Sequence, residues 1–106
     1  MKLIIAIVHD EDSGRLMEEF LKEKIPVTKL ASTGGFLRSG NVTLMIGTEP
    51  EKVDSIIDII RRTCKSRTQV AASAPTEFMM SINWPVEVTV GGATIFVVDV
   101  DRYEKI

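Results

Sequence analysis

The chain has 106 residues, a length that suits one domain, because compact domains most often run to about 100–150 residues. Its net charge of −2 argues against nonspecific binding to a nucleic-acid polymer, which needs a clustered excess of lysine and arginine. The single cysteine, Cys64, excludes an internal disulfide, and with the single histidine, His9, it argues against a structural zinc site.

The amino-terminal apolar run, residues 2–8, is followed at once by acidic residues, which does not match a signal peptide. No stretch of the chain approaches the roughly 20 apolar residues that a membrane span requires. We therefore expect a soluble, cytoplasmic protein with a single domain over residues 1–106, and no association with a membrane.

Residues 2–8 are β-branched and almost continuously apolar, which predicts a strand at the centre of a sheet. A helix should follow, because acidic residues open the next segment, lysines close it, and Pro26 stops it. Four apolar residues lie at helical spacing on what we predict to be its buried face: Leu16, Met17, Phe20 and Leu21.

Residues 27–32 and 41–47 alternate apolar and polar side chains, which predicts two strands joined as an antiparallel hairpin. The connection contains Gly34-Gly35 and then Phe36-Leu37, an unusually apolar pair for a turn. Considered alone, these two residues favour packing at a subunit interface or on a neighbouring loop, because exposed apolar residues often mark contacts between subunits.

Residues 48–67 give the clearest helix. Thr48 and Glu51 have capping-box spacing, and Pro50 lies in the first turn, where its missing N–H has little effect. The residues at helical spacing that we predict to be buried are Val53, Ile56, Ile57, Ile60 and Cys64. This position also makes Cys64 a buried, unreactive thiol rather than a functional one.

An irregular stretch is predicted over residues 68–85. Residues 86–90 and 93–100 then flank Gly91-Gly92, a pattern typical of a β-hairpin. The resulting order predicts an α+β fold, a ferredoxin-like βαββαβ sandwich with an extra C-terminal strand. Because its strands are apolar on both sides, we also expect the free face of the sheet to be covered by assembly of subunits.

Signals for catalysis are weak. His9 lies beside Asp10, Glu11 and Asp12, which could form a metal or acid–base site, but a solvated helix start explains these residues more simply. The segment TGGFLRSG joins two strands instead of opening a helix, so it does not match a phosphate-binding loop. We predict a protein that is not an enzyme and uses no metal or cofactor.

Three segments give a specific resemblance: VTKLASTGGFLRSGN, the opening MKLIIAIVHDEDS and the closing PVEVTVGGATIFVVDVDRYE. Together they resemble the PII-like cyclic di-AMP receptor family over most of the chain apart from residues 68–83. The resemblance implies a PII-like homotrimer that binds cyclic di-AMP in clefts between subunits. It further implies a signal-transduction role in which loops rearrange and signal to an unidentified downstream protein.

The resemblance also implies a ligand-binding role for individual residues. Thr28 would offer a hydroxyl, Asn41 an amide for an adenine edge, and Gly47 close approach of the ligand. An apolar or aromatic face rewards base stacking by roughly 1–3 kcal/mol per base, which suits exposed apolar side chains. The full set implied by the resemblance is Thr28, Gly35, Phe36, Leu37, Asn41, Gly47 and Phe96.

The chain departs from the family pattern at Pro26, at Lys105 and in the long loop of residues 71–84. This loop is unusually apolar because it contains Phe78, Met79, Met80, Ile82 and Trp84. A basic residue at position 26 would have contacted a phosphate, a role for which Lys29 or Arg38 could substitute. The alternatives are a PII-type sensor of ATP or ADP, a CutA-like metal-binding trimer, and an adaptor that has lost its nucleotide.

Overall fold

A computed structural model describes residues 1–30, 40–71 and 86–106 of the chain. The described segments contain six strands, two α-helices and one short 3₁₀ turn in chain order. They are β1 (Lys2–His9), α1 (Asp10–Lys22), β2 (Thr28–Leu30), β3 (Asn41–Thr48), the 3₁₀ turn (Pro50–Lys52), α2 (Val53–Thr63), β4 (Arg67–Ala71), β5 (Val86–Val90) and β6 (Ala93–Asp99).

The main sheet is four-stranded and antiparallel, with the spatial order β2-β3-β1-β6. β1 lies at its centre, as the continuous apolar run predicts, and pairs with β3 on one side and β6 on the other. Ile4, for example, lies opposite Ile46 in β3 and Val97 in β6. This α+β arrangement is compatible with the predicted ferredoxin-like fold.

The core lies between this sheet and the two helices. β1 and β3 each turn alternate residues toward the helices, because successive side chains in a strand point to opposite faces. The buried apolar residues are Ile4, Ala6, Val8, Leu16, Phe20, Val42, Leu44, Ile46, Ile56, Ile59, Ile60 and Cys64.

The buried face of α1 is narrower than predicted. Leu16 and Phe20 are buried and Met17 packs against the core, but Leu21 is 77% exposed, so its prediction was wrong. Each residue of a helix advances by about 100°, and Leu21 therefore turns away from the stripe that Leu16 and Phe20 define. The helix ends at Lys22, before Pro26.

The start of α2 also differs from the prediction. Thr48 and Glu51 form no capping box, because Thr48 is still paired with Lys2 as the last residue of β3 and Pro50 opens a 3₁₀ turn. Ile56, Ile60 and Cys64 are buried as predicted, whereas the predicted Ile57 is only partly buried and Ile59 takes a place in the core. Neither described helix is long and apolar enough to span a membrane.

The predicted hairpin across Gly91-Gly92 was wrong. Among the described strands β5 pairs with β4, forming a separate two-stranded ribbon, and β6 joins the main sheet beside β1. β4 itself occupies the start of the stretch predicted to be irregular. Both glycines have positive φ, and the N–H of Gly92 donates to the carbonyl of Cys64. The pair is therefore a crossover held on the end of α2, and β6 supplies the fourth strand of the sheet.

Candidate functional site

The face of the main sheet away from the helices, called here the outer face, is largely apolar. Register and strand alternation place on it Leu3, Ile5, Ile7, Thr28, Leu30, Met45, Gly47, Thr94, Phe96 and Val98, among others. Its large apolar side chains remain accessible in the protomer, with Leu30, Phe96 and Val98 exposed by 39%, 51% and 42%. Contiguous exposed apolar surface is typical of sites that contact another molecule.

Thr28 and Phe96, two of the predicted ligand residues, lie on one row across this face. Thr28 is opposite Met45, Met45 is opposite Ile5, and Ile5 is opposite Phe96. Neighbouring strands lie about 4.8 Å apart, so three strand spacings separate Thr28 and Phe96 by roughly 14 Å. They therefore occupy the two opposite edges of the sheet within one protomer.

Gly47 lies near the end of β3, beside a cleft of about 570 Å³. Among the described residues, a Cβ built on this glycine would come no closer than 3.9 Å to an atom beyond its chain neighbours, the sulfur of Met1. The described part of the protomer therefore has room for a side chain at this position.

The cleft beside Gly47 carries charges of both signs. Lys24, Lys52 and Arg62 line it together with Glu23, Glu49 and Asp58, and Pro26 is also part of its wall. Lys29, by contrast, lies opposite Leu44, which points into the core. Because strand neighbours alternate, Lys29 belongs to the face opposite Thr28.

Asn41 begins β3 at the opposite end from Gly47. It pairs with His9 and shares a small cavity of about 170 Å³ whose wall includes His9, Gly91, Gly92 and Thr94. The preceding residue is fixed, because the N–H of Asp10 donates to the carbonyl of Gly40 at 2.6 Å. Asn41 and Gly47 are six residues apart on the same face, a distance of roughly 20 Å along the strand.

A family model described as a cyclic-di-AMP receptor matches residues 1–106. The chain belongs to the cyclic-di-AMP receptor family. A crystal structure of a functionally unknown protein from Pediococcus pentosaceus ATCC 25745 is also similar, with a TM-score of 0.76 and 41% sequence identity. The match covers 99% of this chain and 96% of that one.

The predicted ligand residues that the structure describes fall into three groups. Thr28 and Gly47 lie toward the β2 side of the sheet, Asn41 lies at the far end of β3, and Phe96 lies on β6. Gly35, Phe36 and Leu37 lie outside the described residues, as do Arg38 and the apolar segment from Phe78 to Trp84. No single protomer brings the Thr28 and Phe96 edges together.

Sequence reasoning missed the residues that surround Asn41 in the structure. Gly91 and Gly92 were assigned to a turn, and Thr94 to a strand with no site role. The only available signal was the glycine pair, which suits a crossover as well as a hairpin. In the part of the chain that the structure describes, no three His, Cys, Asp or Glu residues are grouped so that they could hold a metal ion.

Proposed function

We propose that this receptor is a nonenzymatic signal-transduction protein that binds cyclic di-AMP between the subunits of a homotrimer. One subunit contributes Thr28, Asn41 and Gly47, with Gly35, Phe36 and Leu37 from the neighbouring connection, and the next subunit contributes Phe96. Ligand binding rearranges loops at the cleft and so signals to a downstream protein in the cytoplasm.

The observation that carries this proposal is the separation of Thr28 and Phe96 at opposite edges of one sheet. A ligand that contacts both in a single protomer would have to lie across the whole outer face. If the β2 edge of one subunit meets the β6 edge of the next, the two residues face a common cleft. A head-to-tail contact of this kind forms a ring when the rotation between subunits closes, and the proposed homotrimer is such a closed ring.

The apolar outer face supports assembly in the same geometry. Ile5, Met45, Phe96 and Val98 give a continuous surface that a monomer would leave in water. Burial of apolar area contributes about 25 cal/mol per Å², so packing three such faces around a common axis stabilises a trimer. The helices then lie outside, where their charged residues meet solvent.

The spacing of Asn41 and Gly47 favours a ligand with two bases. A ligand touching both ends of β3 must extend over roughly 20 Å, counted along the strand. A cyclic dinucleotide offers one adenine to each end and places its two phosphates between them. Each base can then meet both a polar group and an apolar surface, as base recognition by stacking requires.

Calorimetric titration with cyclic di-AMP tests the proposal directly, with ATP, cyclic di-GMP and a divalent metal salt as controls. We expect saturation at one cyclic di-AMP per subunit and no comparable heat from the controls. Binding of ATP in preference would favour a PII-type sensor instead. The absence of binding heat with every nucleotide would indicate that the changes at Pro26 and Lys105 have abolished the site.

A mixed-subunit experiment tests the shared cleft separately. One variant carries Thr28→Ala and Asn41→Ala, the other carries Phe96→Ala, and each alone should lose binding. In a trimer that contains both kinds of subunit, one cleft combines an intact Thr28 side with an intact Phe96. Co-expression should therefore restore part of the binding. If all three residues serve a cleft within one subunit, mixing restores nothing.

A further inference from the structure

Arg67 is the first residue of β4 and pairs with Val90, the last residue of β5. It therefore lies at the root of the β4–β5 ribbon, where β4 begins and β5 ends. Its Nη2 donates to Oδ1 of Asp12 at 3.0 Å, and its Nη1 donates to the carbonyl of Lys65 at 3.2 Å. Asp12 is only 4% exposed, and the hydrogen bond to it raises the pKa of Arg67. The guanidinium thus ties the start of the ribbon to the first turn of α1.

The end of β5 also packs against the guanidinium of Arg67. β5 leads into Gly91, where a Cβ would lie 2.8 Å from Nη1 of Arg67 and 2.6 Å from the carbonyl of Lys65. Gly91 also has φ of +83°, a conformation that favours glycine. We therefore expect a movement of Arg67 to displace the start of β4 and the end of β5 together.

The first turn of α1 has a second contact, on the side of the sheet that carries Asn41. The N–H of Asp10 donates to the carbonyl of Gly40, which directly precedes Asn41. Asp10 and Asp12 belong to the same helical turn, so a shift at one is carried to the other. The Asn41 cavity and the ribbon are consequently joined through three consecutive residues of α1.

The Asp12–Arg67 contact uses only one oxygen of the carboxylate. Oδ2 of Asp12 is buried and has no hydrogen-bond partner in the described part of the structure. A buried acceptor without a donor costs free energy, and planar guanidinium and carboxylate groups pair most strongly through two parallel hydrogen bonds. A second arrangement, in which the guanidinium turns so that Nη1 moves from the carbonyl of Lys65 to Oδ2, would satisfy this acceptor and release the start of β4 from Lys65.

We propose that Arg67 is a positioning residue that couples the Asn41 end of the site to the β4–β5 ribbon through the first turn of α1. In one state the guanidinium bridges Asp12 and Lys65; in the other it pairs with both oxygens of Asp12. Where the coupling is driven by nucleotide, it rests on the proposed function. The coupling itself is a property of the free protein.

Hydrogen exchange of the full chain without nucleotide tests the coupling. Asp12→Asn weakens the pair, and we expect exchange to rise roughly tenfold or more at ribbon amides and at Asn41 and Val42, with the central strand β1 unchanged. Glu11→Gln is the matched control, because Glu11 also approaches Arg67, at 3.9 Å, but is exposed. A rise confined to the ribbon, or no rise at all, would overturn the coupling.

Arg67→Lys provides the second variant, and it keeps the charge but cannot make two parallel hydrogen bonds. We expect a smaller rise in exchange at the same two places, which keeps the test decisive if Asp12→Asn disturbs the whole fold. With cyclic di-AMP, wild-type ribbon amides should change protection, and Arg67→Lys should lose that change while still binding. Failure of the wild type to bind would count against the proposed function, whereas unlinked exchange in the free variants would count against the coupling.

Discussion

Val97 and Val98 are consecutive in β6 and almost equally exposed, at 41% and 42%, but they lie on opposite faces of the sheet. Val97 is opposite Ile4, which faces the helices, and Val98 is opposite Leu3 on the outer face. A charged residue introduced at each position in turn therefore distinguishes an effect on subunit assembly from an effect on the stability of the protomer.

We predict that Val98→Asp shifts the proposed trimer to smaller species, because the assembled state would have to bury the new carboxylate. Val97→Asp, its matched control, should leave the assembly intact. Sedimentation velocity of both variants over a range of concentrations measures the difference. Equal dissociation in the two variants, or in neither, would contradict an interface on the outer face.

Phe20 and Leu21 give a similar contrast within α1. We predict that Phe20→Ala lowers the free energy of unfolding by about 3–5 kcal/mol, since it leaves a cavity between the helix and the sheet. Leu21→Ala should change it by less than about 0.5 kcal/mol because the side chain is exposed. Chemical denaturation at a fixed protein concentration provides both values. A comparable loss in Leu21→Ala would mean that this side chain is covered in the assembled protein.

The two glycines of the crossover should respond differently to a methyl group. In Gly92→Ala the new Cβ has ordinary contact with Ser66 at 3.7 Å, so only the strain of positive φ remains, about 1–3 kcal/mol. In Gly91→Ala the Cβ would lie 2.6 Å from a backbone carbonyl that cannot turn away easily. We therefore expect Gly91→Ala to be clearly the less stable variant in thermal melts. Equal melting temperatures would indicate that the crossover relaxes without cost.

Gly47→Ala tests whether the ligand needs the glycine. The protomer has room for the methyl group, and alanine in a strand is favoured over glycine by roughly 0.5–1 kcal/mol, so stability should hold or rise slightly. Affinity for cyclic di-AMP should fall by roughly tenfold or more if the ligand approaches this position closely. Gly14→Ala, at an open position in α1, is the control and should leave binding unchanged.

Cys64 predicts how stability changes at alkaline pH. Burial, with a smaller effect from the Asp12 carboxylate, raises the pKa of this thiol from 9.0 to about 11, although Arg67 partly opposes the increase. Between these values the unfolded chain loses the thiol proton and the folded chain keeps it. The folded state is therefore stabilised below pH 9, and this contribution is lost as the pH rises to 11.

The loss should reach roughly 2–3 kcal/mol, measured as the difference between wild type and Cys64→Ala in unfolding experiments from pH 8 to 11. Subtracting the variant removes the titration of lysines and Tyr103, which both proteins share. Parallel curves for the two proteins would show that Cys64 does not titrate differently on folding.

The type and chain order of β1, α1, β3 and α2 followed from periodicity, because each carries an apolar pattern that suits only one kind of structure. The errors arose where several structures share one pattern. Leu21 belongs to an apolar cluster, but the exact orientation of the helix decides which members of it are buried. Thr48 has the right spacing for a cap, yet its pairing with Lys2 keeps it in the strand.

The crossover and its anchor could not have been predicted from local signals. Gly91-Gly92 has positive φ at both residues, which suits a hairpin as well as a crossover. The local sequence does not determine whether β6 pairs with β5 or with β1, as it does in the structure. The Asp12–Arg67 pair joins residues that are 55 positions apart, so no spacing rule connects them. Thr28 and Phe96 were identified by resemblance, whereas their places at opposite edges required the sheet register.

The pairing of β1 with β6 has a consequence for how the chain folds. The ion pair between Lys2 and Asp99 joins residues 97 positions apart, so the central strand obtains one of its two partners only from nearly the far end of the sequence. Contacts of such long range carry a loop-closure cost that must be met before they stabilise anything, which slows folding. During synthesis, β1 and its open edge must wait through more than 80 further residues before β6 covers them. We therefore expect β1 to be open to pairing with other chains during synthesis until β6 has emerged.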